Sequence, residues 1–293
     1  MNLSSISKRA WRRLIFSLTV LSSACAGWLA WEMTGGQWLL IVPGGILGGI
    51  IVGPLVALLG SVNLKLNHLR EKIRRDHLLL REMTNIRPLV DGPPLDYGSW
   101  AIDPYLGKIL AQLIHRHEPD HVLECGSGTS TVFMAKLLEK ANPEGFLTAL
   151  EHLPEYAQKT KKLLQDHSVE TEADVLRAPL REWEVDDRSL SWYGVEIDHF
   201  PDRDIDLLVV DGPPHTTGAH PRYAAVFVLE ELLSEECVIV LDDGDREEEQ
   251  QAAERWAEVL EADIEYKGGT KGTYILRRST SETTGSGLFD SFD

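Results

Sequence analysis

The apolar and polar positions divide the chain into three unlike stretches. Two long apolar runs come first, Leu14 to Trp31 and Trp38 to Leu59, joined by Glu32-Met33-Thr34-Gly35-Gly36-Gln37. Each approaches the ~20 residues needed to cross a bilayer core, and the short connection allows a tight turn. The pattern therefore predicts a transmembrane helical hairpin over residues 1–60. Small residues at four-residue spacing (Ser23 and Gly27; Gly45, Gly49 and Gly53) suit two closely packed helices. Trp11, Trp28, Trp31 and Trp38 stand near the span ends, as an aromatic belt would. Lys8, Arg9, Arg12 and Arg13 precede the first run, and Lys65, Arg70, Lys72, Arg74 and Arg75 follow the second. Positive flanks on both outer ends predict an inner (cytoplasmic) membrane protein, multi-pass, with the remaining chain in the cytoplasm. A cleaved leader ending at Ser22-Ser23-Ala24-Cys25 is the competing reading. Against it, Ser22 stands where that signal favours Leu, and a second run follows.

Residues 61–100 form the second stretch, a juxtamembrane helix and a linker. Val62, Leu66, Leu69, Ile73, Leu80 and Met83 alternate at spacings of four and three, with Asp76 interrupting the seam. Barely three heptads fit a helix lying on a membrane surface or on its own domain better than a coiled-coil homodimer. Arg87-Pro88 and Gly92-Pro93-Pro94 mark Thr84 to Trp100 as linker. From 101 to 278 helical and strand-like segments alternate. Strands are predicted at 121–125, 146–150, 173–177, 205–210 and 237–241, with helices at 104–115, 129–140, 154–167, 219–233 and 246–260. A hairpin of 264–267 and 273–276 ends the series. This is the signature of an α/β, doubly wound, mostly parallel sheet closed by an antiparallel strand. Residues 279–293, rich in Ser, Thr and Gly, read as a disordered tail.

Charge sharpens the division. Residues 1–83 carry ten Lys/Arg against four Asp/Glu, the remainder 19 against 42, within a total of −17. So acidic a domain repels a phosphate backbone, which makes nucleic acid a poor partner, and the acidity fits a solubility or salt-adaptation trait. The three cysteines, Cys25, Cys125 and Cys237, are unpatterned and suggest neither disulfides nor zinc.

Four segments carry candidate chemistry, each at the end of a predicted strand, where α/β sheets bind ligands. In Val122-Leu123-Glu124-Cys125-Gly126-Ser127-Gly128-Thr129-Ser130-Thr131 a strand enters a helix through a glycine turn. Gly126 and Gly128 permit close backbone approach to a ligand. Thr131 stands where a dinucleotide fingerprint needs glycine, and the Gly-Lys-Ser/Thr of a P-loop is absent. Glu124 suits a cationic ligand head. Next, Leu150-Glu151-His152 places a carboxylate where it could accept both hydroxyls of a ribose, though a surface glutamate is the plain alternative. Third, Asp206 to Val210 leads into Asp211-Gly212-Pro213-Pro214-His215, where Asp211 could equally be a turn residue. Fourth, Val238 to Leu241 ends in Asp242-Asp243. On neighbouring strand ends Asp211, Asp242 and Asp243 would crowd together and repel unless a cation sits between them. Oxygen ligands of this kind suit Mg²⁺ or another hard divalent ion. His215, Arg222 and Tyr223 follow on the same side, His215 being a candidate base or substrate contact, or a solvated loop residue.

Together these segments resemble class I S-adenosylmethionine (SAM)-dependent methyltransferases, over Ser99 to Arg277. The resemblance is to catechol-type O-methyltransferases and to a group of bacterial membrane-anchored methyltransferases. More distantly, the chain is similar to plant glucuronoxylan O-methyltransferases. It implies a seven-stranded Rossmann-like sheet and a cofactor site built from Glu124, Gly126, Ser127, Gly128, Ser130, Glu151, His152 and Ala178, the last in a loop closing over the adenine. It also implies a metal site of Asp211, Asp242 and Asp243, with Asp243 standing where that family has Asn. Asp211 and His215 would be the catalytic pair. The implied reaction is metal-assisted methyl transfer to a hydroxyl oxygen. The expected partners are the bilayer and a small-molecule, lipid-linked or glycan acceptor. Two other classes compete: a catalytically silent SAM-binding membrane scaffold, which needs no aspartate cluster, and a nicotinamide oxidoreductase, disfavoured by Thr131.

Overall fold

The computed structural model describes residues 17, 24, 25, 28, 41–95, 102–196, 200 and 204–278, with side chains from residue 52 onward in the first long helix. The chain forms two compact units, Met1–His77 and Leu78–Asp293.

Helix α1 (Ile41–Ile86) runs 46 residues without a break, with Pro54 inside it. Its apolar seam is exposed at Val62, Leu66, Leu69, Ile73 and Leu80. The expected multi-pass inner-membrane location is corrected here. Among the described residues no helix is long and apolar enough to cross a membrane. The first expected span lies outside the described residues except at Ser17, Ala24, Cys25 and Trp28. In the second, side chains are described only from Val52, and the apolar run ends at Leu59 before Asn63 and Lys65. The expected tail of residues 279–293 also lies outside the described residues.

In the second unit the helix reaches further than expected. Its end is held by Ile86, fully buried, whose Cδ1 lies where a Cβ on Gly107 would be 3.0 Å away. Glu82 is buried beside it, 3.8 Å from Lys108 Nζ. A 3₁₀ turn at Arg87–Leu89 then ends the helix, Pro88 lacking the N–H to continue it.

The sheet units follow as α2 (Pro104–His117), β1 (His121–Cys125), α3 (Thr129–Ala141), β2 (Phe146–Glu151), α4 (Pro154–Asp166) and β3 (Ala173–Arg177). A hairpin of β4 (Leu180–Val185) and β5 (Arg188–Tyr193) precedes β6 (Ile205–Val210), α5 (Ala225–Leu229) and β7 (Leu233–Leu241). The chain then forms α6 (Glu247–Leu260), β8 (Ala262–Lys267) and β9 (Thr273–Arg278). Seven strands make one sheet in the order β3-β2-β1-β6-β7-β9-β8, parallel through β7 and antiparallel at β9 and β8. The chain reverses its direction of travel between β1 and β6, the switch point at which such sheets open a ligand crevice.

Strand side chains alternate between two cores. Val122, Leu207, Val209, Val238 and Val240 face a layer with Leu110, Ile114 and Phe133. Leu123, Cys125, Leu208, Val210, Ile239 and Leu241 face the other, with Trp192 and Trp256. Both domain cysteines are buried and free, and burial raises the Cys237 thiol pKa to about 12. Helix 219–233 of the sequence reading shrinks to α5 and a 3₁₀ turn, because β7 begins at Leu233.

Candidate functional site

Five strand ends are stitched together by backbone hydrogen bonds. Gly126 N–H donates to Leu150 O (3.0 Å), Ala178 N–H to Glu151 O (2.8 Å), Asp211 N–H to Cys125 O (3.1 Å) and Asp242 N–H to Val210 O (3.1 Å). The ends of β1, β2, β3, β6 and β7 therefore form one platform. Gly126 has φ +110°, a conformation that a side chain would strain. A Cβ at Gly212 would overlap Tyr193 Oη and lie 3.1 Å from Cys125 O, so the β6 loop can cross the glycine turn only as glycine. A Cβ at Gly128 would meet nothing within 4 Å, which leaves the start of α3 open.

Glu124 points inward and is 1% exposed. Ser130 Oγ donates to its Oε1, and Thr131 Oγ1 donates to Oε2 at 2.6 Å. Gly128 N–H in turn donates to Thr131 Oγ1 at 2.9 Å. The carboxyl thus braces the glycine turn from below. Burial raises its pKa to about 8, the two hydroxyls pulling the other way.

Glu151, at the end of β2, is held from three sides. Ser127 Oγ donates to Oε2 (3.2 Å), Leu153 N–H donates to Oε1 (2.9 Å), and His152 Nδ1 lies 3.0 Å from Oε1. Ser127 also contacts Thr160 of α4 at 3.1 Å, fixing the hydroxyl. The His152 ring stands edge-on to Tyr193, centroids 6.0 Å apart. Ala178 is fully buried behind this end.

Asp211, Asp242 and Asp243 do converge, each offering an oxygen within 4.8 Å of the others. The cation among them is part of the chain. Arg222, with its side chain 4% exposed, donates from Nη2 to Asp211 Oδ1 (3.1 Å) and to Asp243 Oδ2 (2.8 Å). Its Nη1 donates to the Asp242 carbonyl at 2.9 Å. Burial disfavours this cation, but Asp211, Asp243, Asp242 and Glu249 outweigh it and raise the pKa. Asp242 is pushed up to about 8, first by burial, then by Asp211 and Asp243, with Lys271 and Arg222 pulling it down. Asp211, its side chain 40% exposed, is raised by desolvation first and pulled down by Arg222. His215 is exposed in the 3₁₀ turn His215–Thr217 on the loop leaving β6.

The structure therefore brings Gly126, Ser127, Glu151 and His152 to one edge and the three aspartates beside it, while Glu124, Ser130 and Ala178 lie beneath. Sequence reasoning did not assign Thr160, Tyr193, Arg246 or Lys271 to the site, and gave Arg222 no role. An arginine following an Asp-Gly-Pro-Pro loop was the one available signal.

Residues 123–244 match the family described as "Methyltransferase domain". Over 90 residues the chain is 30% identical to protein-L-isoaspartate O-methyltransferase 2 of Archaeoglobus fulgidus, a match covering 30% of this chain and 41% of that protein. The chain thus spans about two-fifths of the length of this curated relative. Among solved structures, it is similar to the O-methyltransferase TomG of Streptomyces achromogenes in complex with SAM. There the identity is 19% and the TM-score 0.44, over 61% of this chain and 82% of that one. It is also similar to the O-methyltransferase of Bacillus cereus in complex with SAH, at 16% identity and a TM-score of 0.46, over 69% and 91%. Over residues 123–244 the chain is thus similar to methyltransferase domains, and its sheet order and glycine turn agree with that likeness.

Proposed function

We propose that this domain transfers the methyl group of SAM to a hydroxyl oxygen of a small-molecule acceptor. The observation that carries the reading is Glu151, a fixed carboxylate beside an open glycine turn on the adjoining strand end. That arrangement fits a nucleoside: the carboxylate meets ribose hydroxyls, and the turn leaves room for the chain beyond them. Oxygen as the acceptor atom is supported by the O-methyl transfer of the curated relative.

When bound, SAM supplies an already activated sulfonium methyl group. The chain's own residues then bind and orient. Glu151 holds the ribose, with Ser127 and Thr160 keeping its orientation. Glu124, Ser130 and Thr131 keep the turn shaped, and His152 and Tyr193 wall the adenine side. Asp211, one oxygen of which is free of Arg222, and the exposed His215 are the groups available to take the acceptor's proton. As to a divalent ion, three converging carboxylates suit it by donor chemistry. Asp211 Oδ1 and Asp243 Oδ2 are already engaged by Arg222, however, so the set does not fit the ion and no step runs through it.

The test is SAM affinity by titration calorimetry. Glu151→Ala removes two charge-assisted hydrogen bonds, each worth about 1.5–3 kcal/mol, so the Kd rises at least about tenfold. Unchanged affinity in a variant with native circular dichroism would refute the ribose role.

A further inference from the structure

The acidic cluster is ringed by three side-chain cations. Beside Arg222, Arg246 Nη1 lies 3.0 Å from Asp243 Oδ2 and 3.3 Å from Glu249 Oε1. Lys271 Nζ lies 3.7 Å from Asp243 Oδ1. Arg222 Nη1 also faces Glu249 Oε1 at 3.9 Å. We propose that Arg222 is the resident cation of this site, holding Asp211 and Asp243 in the position that a divalent ion would otherwise fix, so that the domain works without a metal. This rests on the methyltransferase reading above.

Three physical points carry it. First, charge: Asp211, Asp242, Asp243 and Glu249 face Arg222, Arg246 and Lys271, which leaves a single negative charge even with every carboxyl ionised. A divalent ion would overshoot that balance. Second, one oxygen each of Asp211 and Asp243 is taken. An ion needs oxygens at roughly 2.0–2.6 Å, and an oxygen 2.8–3.1 Å from Nη2 cannot meet one without bringing two cations within a few ångströms in a buried site. Third, the guanidinium cannot swing aside. It is buried, and it spans two carboxylates and a backbone carbonyl with its planar fork, contacts that a single compact charge could not all make. Arg222 is a positioning residue: it sets where Asp211 stands.

The experiment uses the full chain and two probes, Mn²⁺ alone and SAM alone. Free Mn²⁺ is followed by electron paramagnetic resonance and SAM by calorimetry. The wild-type chain is expected to leave micromolar Mn²⁺ free and to bind SAM equally with and without a chelator. Arg222→Met unlocks the carboxylates and should bind one Mn²⁺ per chain, at least about tenfold more tightly than wild type. Arg222→Lys, which keeps the charge, should not. A purely structural arginine would give no such gain of ion affinity. One micromolar Mn²⁺ per wild-type chain, lost in Asp242→Asn, overturns the proposal, and that arm decides the matter even where Arg222→Met fails to fold. A folded Arg222→Met with no gain overturns it too. Wild-type chain that binds no SAM rejects the methyltransferase reading instead, and the Mn²⁺ arm still judges Arg222.

Discussion

Replacing Glu124 with Gln tests how the glycine turn is supported. The carboxyl is 1% exposed, and burial raises its pKa from 4.5 to about 8. Between those values the folded chain keeps a proton that the unfolded chain has released. Stability therefore falls as pH rises through this window, the direction expected for a raised acid. Each pH unit costs about 1.4 kcal/mol, so from pH 5.5 to 7.5 this one group removes on the order of 2–3 kcal/mol. Gln copies the neutral acid, with its amide facing Ser130 and its carbonyl accepting from Thr131, and it does not titrate. Asp242 has a similarly raised pKa, so the useful quantity is the difference between the two proteins. Urea unfolding at pH 5.5, 6.5 and 7.5 should show an advantage for Glu124→Gln that grows by about 1.4 kcal/mol per pH unit toward neutrality. Parallel curves across the range would show that Glu124 is not held neutral, and the account of the turn would fail.

Two further outcomes follow from packing. Gly212→Ala forces a methyl against Tyr193 Oη and should cost about 1–3 kcal/mol. Adding Tyr193→Phe should return part of the loss, and strictly additive losses in thermal unfolding would refute the clash. Trp256 is fully buried on α6 and donates from Nε1 to Tyr223 O at 2.8 Å. Trp256→Ala should destabilise by about 3–5 kcal/mol, and a shift in urea midpoint equivalent to less than about 1 kcal/mol would contradict the packing.

Periodicity revealed the parallel strands because each is a continuous apolar run bounded by turn residues, as at Val122 to Cys125 and Ile205 to Val210. It missed the β4–β5 hairpin for the opposite reason. Leu180 to Tyr193 mixes charges with scattered aromatics and has no such run. What makes the hairpin is its two-residue turn, with Asp186 at φ 48° and Asp187 at φ 58°, conformations that aspartate tolerates and that match strand twist. It also missed that α1 continues to Ile86. The fixing contact there, Ile86 against Gly107, joins residues that are far apart in sequence.

The same distinction divides the site. Carboxylates at strand ends are legible because the strand dictates where they emerge, and Glu151, Asp211 and Asp242 all emerge where the pattern put them. Their counter-charges are not legible. Arg222 lies on the irregular stretch before α5, Arg246 caps α6, and Lys271 sits in the β8–β9 connection, none with a periodic signal to aim it. The repulsion argument was sound, since three converging carboxylates do demand a cation. On the proposal above, Arg222 is that cation. A domain with 42 acidic residues after position 83 has only 19 Lys and Arg to place, and three of them are spent on this one cluster. Burying the Arg222 guanidinium within it is costly in desolvation. The cost is consistent with a site in which the position of Asp211, rather than its mere charge, governs the acceptor's proton.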